Sequence, residues 1–288
     1  MILLGASTYL WASPFTDEAL HLARHVRELG FDVLEVCIEE PERVTPGAIR
    51  AAAEEAPVAV SVCGAFGPAR DVSHDDATMR RLGVEYLRTC VDVAAAVGSP
   101  HVAGPMYAAT GKTRLLPEAE RERQRRWAVD GLREAAAYAG ERSVALAIEP
   151  LNRFETDLVN TVEQGLDLCD RIGMPNVGLL LDTFHMNIEE RSLPAAIRAA
   201  GDRLLHLHAC ENDRGAPGSG HVDWAGVADA LVEIGYDGQV VVESFAPGIE
   251  QIARAASVWR PLGASPDAIA ADGLVFLRDL LAAPVGGA

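Results

Sequence analysis

The stretch Val177-Gly-Leu-Leu-Leu-Asp182-Thr-Phe-His185-Met-Asn187 decides the fold. Its opening run of apolar and small residues is too short and too uniform for an amphipathic helix. It reads as a strand covered on both faces, as in a parallel sheet. The run stops at Asp182, and His185 follows. A carboxylate and an imidazole at the end of a buried strand are costly to place there unless something pairs with them.

Three more segments end the same way: Ser143 to Glu149, Leu204 to His208 and Gln239 to Glu243. Helical segments separate them. Consecutive strands therefore deliver Glu149, Asp182, His208 and Glu243 to one rim of a parallel sheet. In an α/β barrel, that rim carries the active site.

Outward from these strands the alternation continues. Strands are expected at Ile2–Tyr9, Asp32–Cys37, Val58–Cys63 and His101–Gly104. Thr16 reads as an N-cap, with Asp17 and Glu18 opposing the dipole of a helix that Gly30 ends. Further helices are expected at Thr45–Glu55, Ala77–Val97, Pro117–Ala139, Leu193–Ala200 and Trp224–Ile234. Asn160-Thr-Val-Glu163 resembles a capping box that opens another, closed at Ile172-Gly173. Ile249–Val258 begins the last helical region, and Asp267–Leu281 adds an amphipathic helix. Parallel strands need crossover helices, so eight of them close naturally into a (β/α)8 TIM barrel with an additional C-terminal helix. A doubly wound open sheet is the runner-up, but it places a Gly-rich phosphate loop after strand one. Here that position reads Ser7-Thr-Tyr-Leu-Trp11.

Length and composition fit this reading. The chain has 288 residues, 49% hydrophobic and 23% charged. No linker-like stretch divides it, so residues 1–288 are expected to form a single domain. A formal net charge of -17 argues against a nucleic-acid or anionic-membrane partner and suits a neutral small molecule. The cysteines Cys37, Cys63, Cys90, Cys169 and Cys210 form no CxxC pair and read as reduced intracellular thiols. The opening Met1-Ile-Leu-Leu-Gly lacks a basic signal-peptide region, and no apolar run approaches a membrane span. The expected location is the cytoplasm.

Glu149, Asp182, His208 and Glu243 supply oxygen donors and one imidazole. That set suits Mn2+, Co2+ or Mg2+ better than a structural zinc, which prefers thiolates. Without a cation the three carboxylates would repel one another. The following loops add Glu155, His185 and Arg214, and a polar, Gly-rich loop between strand and helix binds more often than it merely connects. Asp213, Glu211 and His221 read better as solvated loop groups. His206, one layer deeper than His208, reads as a satisfied core histidine.

Glu149-Pro-Leu-Asn-Arg-Phe-Glu155, Leu181-Asp-Thr-Phe-His-Met-Asn-Ile-Glu-Glu190 and Glu211-Asn-Asp-Arg-Gly-Ala-Pro-Gly-Ser-Gly220 together resemble the ketose 3-epimerases. These are the D-tagatose and D-allulose (psicose) 3-epimerases among the xylose-isomerase-like barrels. The resemblance spans most of the chain and is strongest from Val144 to Phe245. It implies one divalent metal per subunit, Mn2+ first and otherwise Co2+ or Mg2+, bound by Glu149, Asp182, His208 and Glu243. It further implies that Glu149 and Glu243 are the acid/base pair. Glu155, His185 and Arg214 match the positions that hold the O1 to O3 end of the sugar.

The implied reaction inverts C3 of a free ketose through a cis-enediolate, and the implied assembly is a homodimer or homotetramer. The resemblance also implies that Tyr9–Trp11, Cys63–Phe66 and Pro105–Tyr107 shape the pocket for the far end of the sugar. Other readings stay open. An aldose–ketose or hydroxypyruvate isomerase, or an inosose-type isomerase or dehydratase, would use the same metal site. A related apurinic endonuclease needs more ligands and a basic face, and a non-catalytic sugar-binding module does not need two opposed glutamates.

Overall fold

Eight short parallel strands close on themselves: β1 (Leu3–Ser7), β2 (Val33–Ile38), β3 (Ala59–Gly64), β4 (His101–Gly104), β5 (Ala145–Ile148), β6 (Val177–Asp182), β7 (Leu204–Ala209) and β8 (Gln239–Val242). The computed structural model describes residues 1–245 and 256–282. β8 pairs with β1 from Leu3↔Gln239 to Ala6↔Val242, which completes the barrel. The expected TIM barrel is therefore the observed fold.

The helices that follow are α1 (Leu22–Leu29), α2 (Pro46–Glu55), α3 (Ala77–Val97), α4 (Glu118–Gly140), α5 (Val162–Ile172), α6 (Thr183–Glu189), α7 (Leu193–Ala200), α8 (Trp224–Glu233) and α9 (Pro266–Ala282). Their ends follow local chemistry. Asp76 caps α3 by accepting the Thr78 N–H at 2.7 Å, and Gly98 ends it in the left-handed region, at φ 78°. Thr16 does cap a helix, but it is the single 3-10 turn Asp17–Ala19, and α1 starts afresh at Leu22. The capping box of α5 is Thr161 with Gln164, one residue later than expected. Asn160 instead donates to the carbonyls of Leu151 and Thr156. Most of the region expected at Ile249–Val258 lies outside the described residues. No helix among the described residues is long and apolar enough to cross a membrane.

Two environments separate across the barrel wall. Outward residues of the strands, such as Val36, Val62, Leu146 and Leu181, meet Val26, Leu87, Leu132 and Ile197 from the helices in one continuous apolar core. Truncating a side chain there, such as Leu132 to Ala, costs roughly 2–5 kcal/mol through lost transfer energy and the cavity left behind. The opposite parity of the strands carries polar groups. Ser7, Glu35, Ser61, His101, His206 and His208 are all buried, and Ala103, Ala147 and Leu180 form a small apolar cluster of their own. A core of this kind is not filled by aliphatic layers. Each of its polar groups needs a partner.

The loops at the carboxyl end of the strands are tied together. Lys112 donates from Nζ to Asp71 Oδ2 at 2.7 Å and to Ser73 Oγ at 2.7 Å, joining the loop after β4 to the loop after β3. Arg114 pairs with Asp157 at 2.9 Å, joining it to the loop after β5. Backbone bonds from Gly111 to the Glu155 carbonyl and from Asp157 to the Lys112 carbonyl complete the seam. On the other side, α9 buries Ile269, Leu274 and Leu277, and its Asp267 accepts from Trp11 Nε1 at 2.7 Å.

Candidate active site

Asp182 is the last residue of β6 and lies in register with His208 of β7. Its carboxylate does more than face the rim. Oδ1 accepts the Phe184 N–H at 2.7 Å, so Asp182 is also the N-cap of α6. That helix was not expected from the sequence. Its first turn brings His185 back over the strand end, with Nε2 3.9 Å from Asp182 Oδ2 and 3.6 Å from Glu149 Oε1. Glu149 and Glu243 directly follow β5 and β8, and both are buried. The four strand ends thus converge as the sequence predicts.

Arg214 enters from the loop after β7. Its φ of 68° is unusual for a residue with a side chain, and it turns the chain back toward the rim. Nη1 donates to Asp182 Oδ2 at 2.7 Å and to Glu243 Oε2 at 2.8 Å. Its guanidinium carbon lies 4.1 Å from the Phe184 ring centroid and 4.9 Å from that of Phe245.

The loop is held by Glu211, which is fully buried. It accepts from Trp224 Nε1 at 2.7 Å and from the N–H groups of Asn212, Gly218 and Val222. The reading of Glu211 as a solvated charge is therefore wrong: a carboxylate with four donors is the organising centre of the loop. His221 is exposed, and Asp213 pairs with Arg260 at 2.7 Å.

His185 is oriented from behind. Its Nδ1 accepts the Asn152 backbone N–H at 3.1 Å and the Asn152 side-chain Nδ2–H at 2.8 Å. Its neutral ring then carries hydrogen on Nε2, where Arg214 Nη2 also lies 3.0 Å away. Asn152 Nδ2 donates to Glu155 Oε1 as well, at 2.8 Å, so Glu155 reaches His185 through Asn152. Asn152 lies inside the Glu149–Glu155 motif, where neither residue type nor spacing distinguishes it. Of the segments expected to shape the far pocket, Tyr9 packs 5.4 Å from Phe245 by ring centroids. The Tyr107 hydroxyl donates to the Val159 carbonyl, and Trp11 turns to Asp267.

Burial and charge set the protonation of the site. Burial, then the charge of Glu243, pushes the Glu149 carboxyl well above its usual range. Burial acts on Glu243 in the same sense, but His208 and Arg214 overcome it and hold that carboxylate down at about 2. Burial, with Arg214 nearby, lowers His185 to about 3 and keeps it neutral. Burial alone would lower His208, yet the charges of Glu35 and Glu243 hold it well above its usual value. Without a cation, the two neighbouring carboxyl groups are thus shifted in opposite directions.

The arrangement fits a divalent cation. Asp182, His208 and Glu243 offer atoms within 4.8 Å of one another, as do Glu149, Asp182 and His185, with Asp182 common to both groups. His208 Nδ1 is buried, makes no hydrogen bond and lies 3.4 Å from Glu243 Oε2. Oxygen donors with one free imidazole nitrogen are the chemistry of Mn2+, Co2+ or Mg2+ sites rather than of thiolate zinc. Arg214 supplies the positive charge that these carboxylates share.

Behind His208 is a residue that the sequence did not reveal. Glu35, in the middle of β2, accepts from His208 Nε2 at 2.9 Å, from His206 Nε2 at 2.7 Å and from Ser61 Oγ at 3.3 Å. His206 is paired through Nε2, while its Nδ1 is buried without a hydrogen-bond partner, so the expected satisfied core histidine is satisfied on one nitrogen only.

A family model described as xylose isomerase-like TIM barrel matches residues 23–280. The chain is 32% identical over 281 residues to a probable ketose 3-epimerase of Synechocystis sp., covering 96% of each chain. It is 32% identical over 283 residues to a ketose 3-epimerase of Arthrobacter globiformis, covering 97% of each. A solved structure of a D-allulose 3-epimerase from Methylomonas sp. superimposes with a TM-score of 0.92 at 31% identity, over 97% of this chain and 98% of that one.

Proposed function

The chain belongs to the xylose isomerase-like TIM barrels and, within them, to the ketose 3-epimerases, and on that premise we propose that it inverts C3 of a free ketohexose or ketopentose. The candidate pairs are D-allulose/D-fructose, D-tagatose/D-sorbose and L-ribulose/L-xylulose. The observation that carries this reading is geometric: Glu149 and Glu243, both buried, stand at the ends of β5 and β8 beside Asp182 and His208 at one rim.

In this proposal Glu149, Asp182, His208 and Glu243 hold one divalent metal, Mn2+ before Co2+ or Mg2+. When bound, the metal supplies a Lewis acid that polarises the C2 carbonyl and acidifies the C3 proton. One glutamate takes that proton, leaving a cis-enediolate. The other, on the opposite face, returns a proton to C3, because a single base would restore the original configuration. His185 Nε2–H and Arg214 Nη2 bring two donors to one point. Arg214 Nη2 lies 3.0 Å from His185 Nε2, in a guanidinium whose Nη1 is gripped by Asp182 and Glu243. A substrate oxygen taking up negative charge between them satisfies both. Glu155 holds Asn152, which holds His185, and so fixes the direction of that donor.

The test is proton exchange in D2O with each candidate ketose, with and without Mn2+, read at C3 by NMR. Metal-dependent deuterium at C3 with epimer formation is expected, and the fastest sugar identifies the substrate. Glu149→Gln and Glu243→Gln should each lose at least ~10^2-fold in turnover. Label at C1 with aldose formation would replace this reading with an aldose–ketose isomerase.

A further inference from the structure

We propose that Glu35 is a positioning residue for His208, fixing which imidazole nitrogen is free to take a divalent cation. This rests on the metal-site reading above and adds to it a residue from a different strand.

Glu35 is an inward residue of β2, fully buried among the polar groups of the barrel interior. Its two oxygens are shared between two histidines of β7: Oε1 with His208 Nε2 at 2.9 Å, and Oε2 with His206 Nε2 at 2.7 Å. A carboxylate only accepts, so both rings present N–H to it on Nε2. The hydrogen bond at Nε2 leaves Nδ1 as the nitrogen of His208 available to the rim. That atom has no hydrogen-bond partner and belongs to the group it forms with Asp182 and Glu243. An ionised carboxylate inside a barrel is costly to bury unless paired, and here two imidazole N–H groups and the Ser61 hydroxyl pair with it. What the carboxylate adds is a fixed ring orientation and a more basic ligand nitrogen, since a metal-binding imidazole is directed by the acceptor on its far side.

Glu35→Gln is the informative change. Glutamine keeps the shape but offers one acceptor oxygen to two N–H groups. One of the rings must then flip or move its hydrogen to Nδ1, and on His208 that hydrogen blocks the ligand position.

Mn2+ is titrated into the metal-free protein, free Mn2+ being read by electron paramagnetic resonance, for wild type, E35Q, E35D, H206N and D182N. The Mn2+ dissociation constant should rise 10- to 100-fold in E35Q. H206N should raise it by a smaller factor, because it releases only the far oxygen of Glu35. E35D, which keeps two acceptor oxygens, should recover part of the loss. The visible spectrum of the Co2+-loaded protein should shift between wild type and E35Q, a change that a purely structural role would not produce.

An E35Q dissociation constant within threefold of wild type, with D182N impaired, overturns the role of Glu35 and leaves the metal site standing. D182N binding Mn2+ like wild type overturns the metal-site reading and this inference with it. Should E35Q fail to fold, H206N decides: unchanged Mn2+ affinity there counts against the proposal, and weakened affinity supports it.

Discussion

Replacing Asp182 by Asn separates the two roles of that residue. Asn accepts the Phe184 N–H as Asp does and caps helices equally well, so α6 should survive. What disappears is the negative charge 2.7 Å from Arg214 Nη1. Removing one partner of a buried ion pair typically costs about 3–5 kcal/mol. Here Glu243 still accepts from the same nitrogen at 2.8 Å, so the loss is closer to that of one charge-assisted hydrogen bond, about 2 kcal/mol. For a chain of this size each kcal/mol moves the melting temperature by roughly 2–4 °C, so metal-free D182N should melt about 4–8 °C below wild type. Adding Mn2+ to ~100 times its dissociation constant should stabilise wild type by about 2.7 kcal/mol and leave D182N where it was. Thermal melts followed by circular dichroism, with and without Mn2+, measure both effects. The reasoning is refuted if metal-free D182N melts with wild type, or if Mn2+ raises both proteins equally.

Asn152→Ala removes the side-chain bond to His185 Nδ1 and the one to Glu155 but keeps the backbone donor. It should cost ~1–2 kcal/mol of transition-state stabilisation, read as a roughly 5- to 30-fold fall in kcat/KM with little change in melting. Glu211→Gln should lower stability by ~1–3 kcal/mol, because four donors lose their carboxylate, and chemical denaturation would measure it. Burial opposes ionisation of Glu211, but its hydrogen bonds prevail and lower its pKa below the ordinary 4.5. Its contribution is therefore present above 4.5 and lost as pH falls through the lowered value. Across that window the gap between wild type and E211Q should narrow.

How legible the molecule is from its sequence depends on which physical signal each part carries. The barrel was visible because buried parallel strands are short apolar runs, and the rim was visible because four of those runs end in a charged or imidazole group. α6 was not, because Asp182, its capping residue, read first as a site residue and the next residues as a loop. Glu35 was hidden for a different reason. It sits inside Val33-Leu-Glu-Val-Cys-Ile38, where one charge looks like a strand irregularity. Its partners lie 171 and 173 residues away, and only barrel closure brings them together. The role of Glu211 is hidden because a polar loop sequence says nothing about whether the loop folds back over one of its own carboxylates. The loop sequence makes Arg214 a candidate, but its left-handed backbone and its grip on two carboxylates belong to the three-dimensional structure.

The tie between the loops after β3 and β4 has a practical consequence. Lys112 is the sole lysine in a sequence whose other cationic side chains are arginines. Its amine is bonded to Asp71 and Ser73, and burial, opposed in part by Asp71, lowers its pKa. Apart from the α-amine, amine-directed reagents therefore find one side chain in the whole molecule, and it is the one that fastens these loops. The rate at which that nitrogen is acylated counts how often the fastening lets go. A single added mass on one tryptic-resistant residue would report, without any engineered label, on the breathing of the rim.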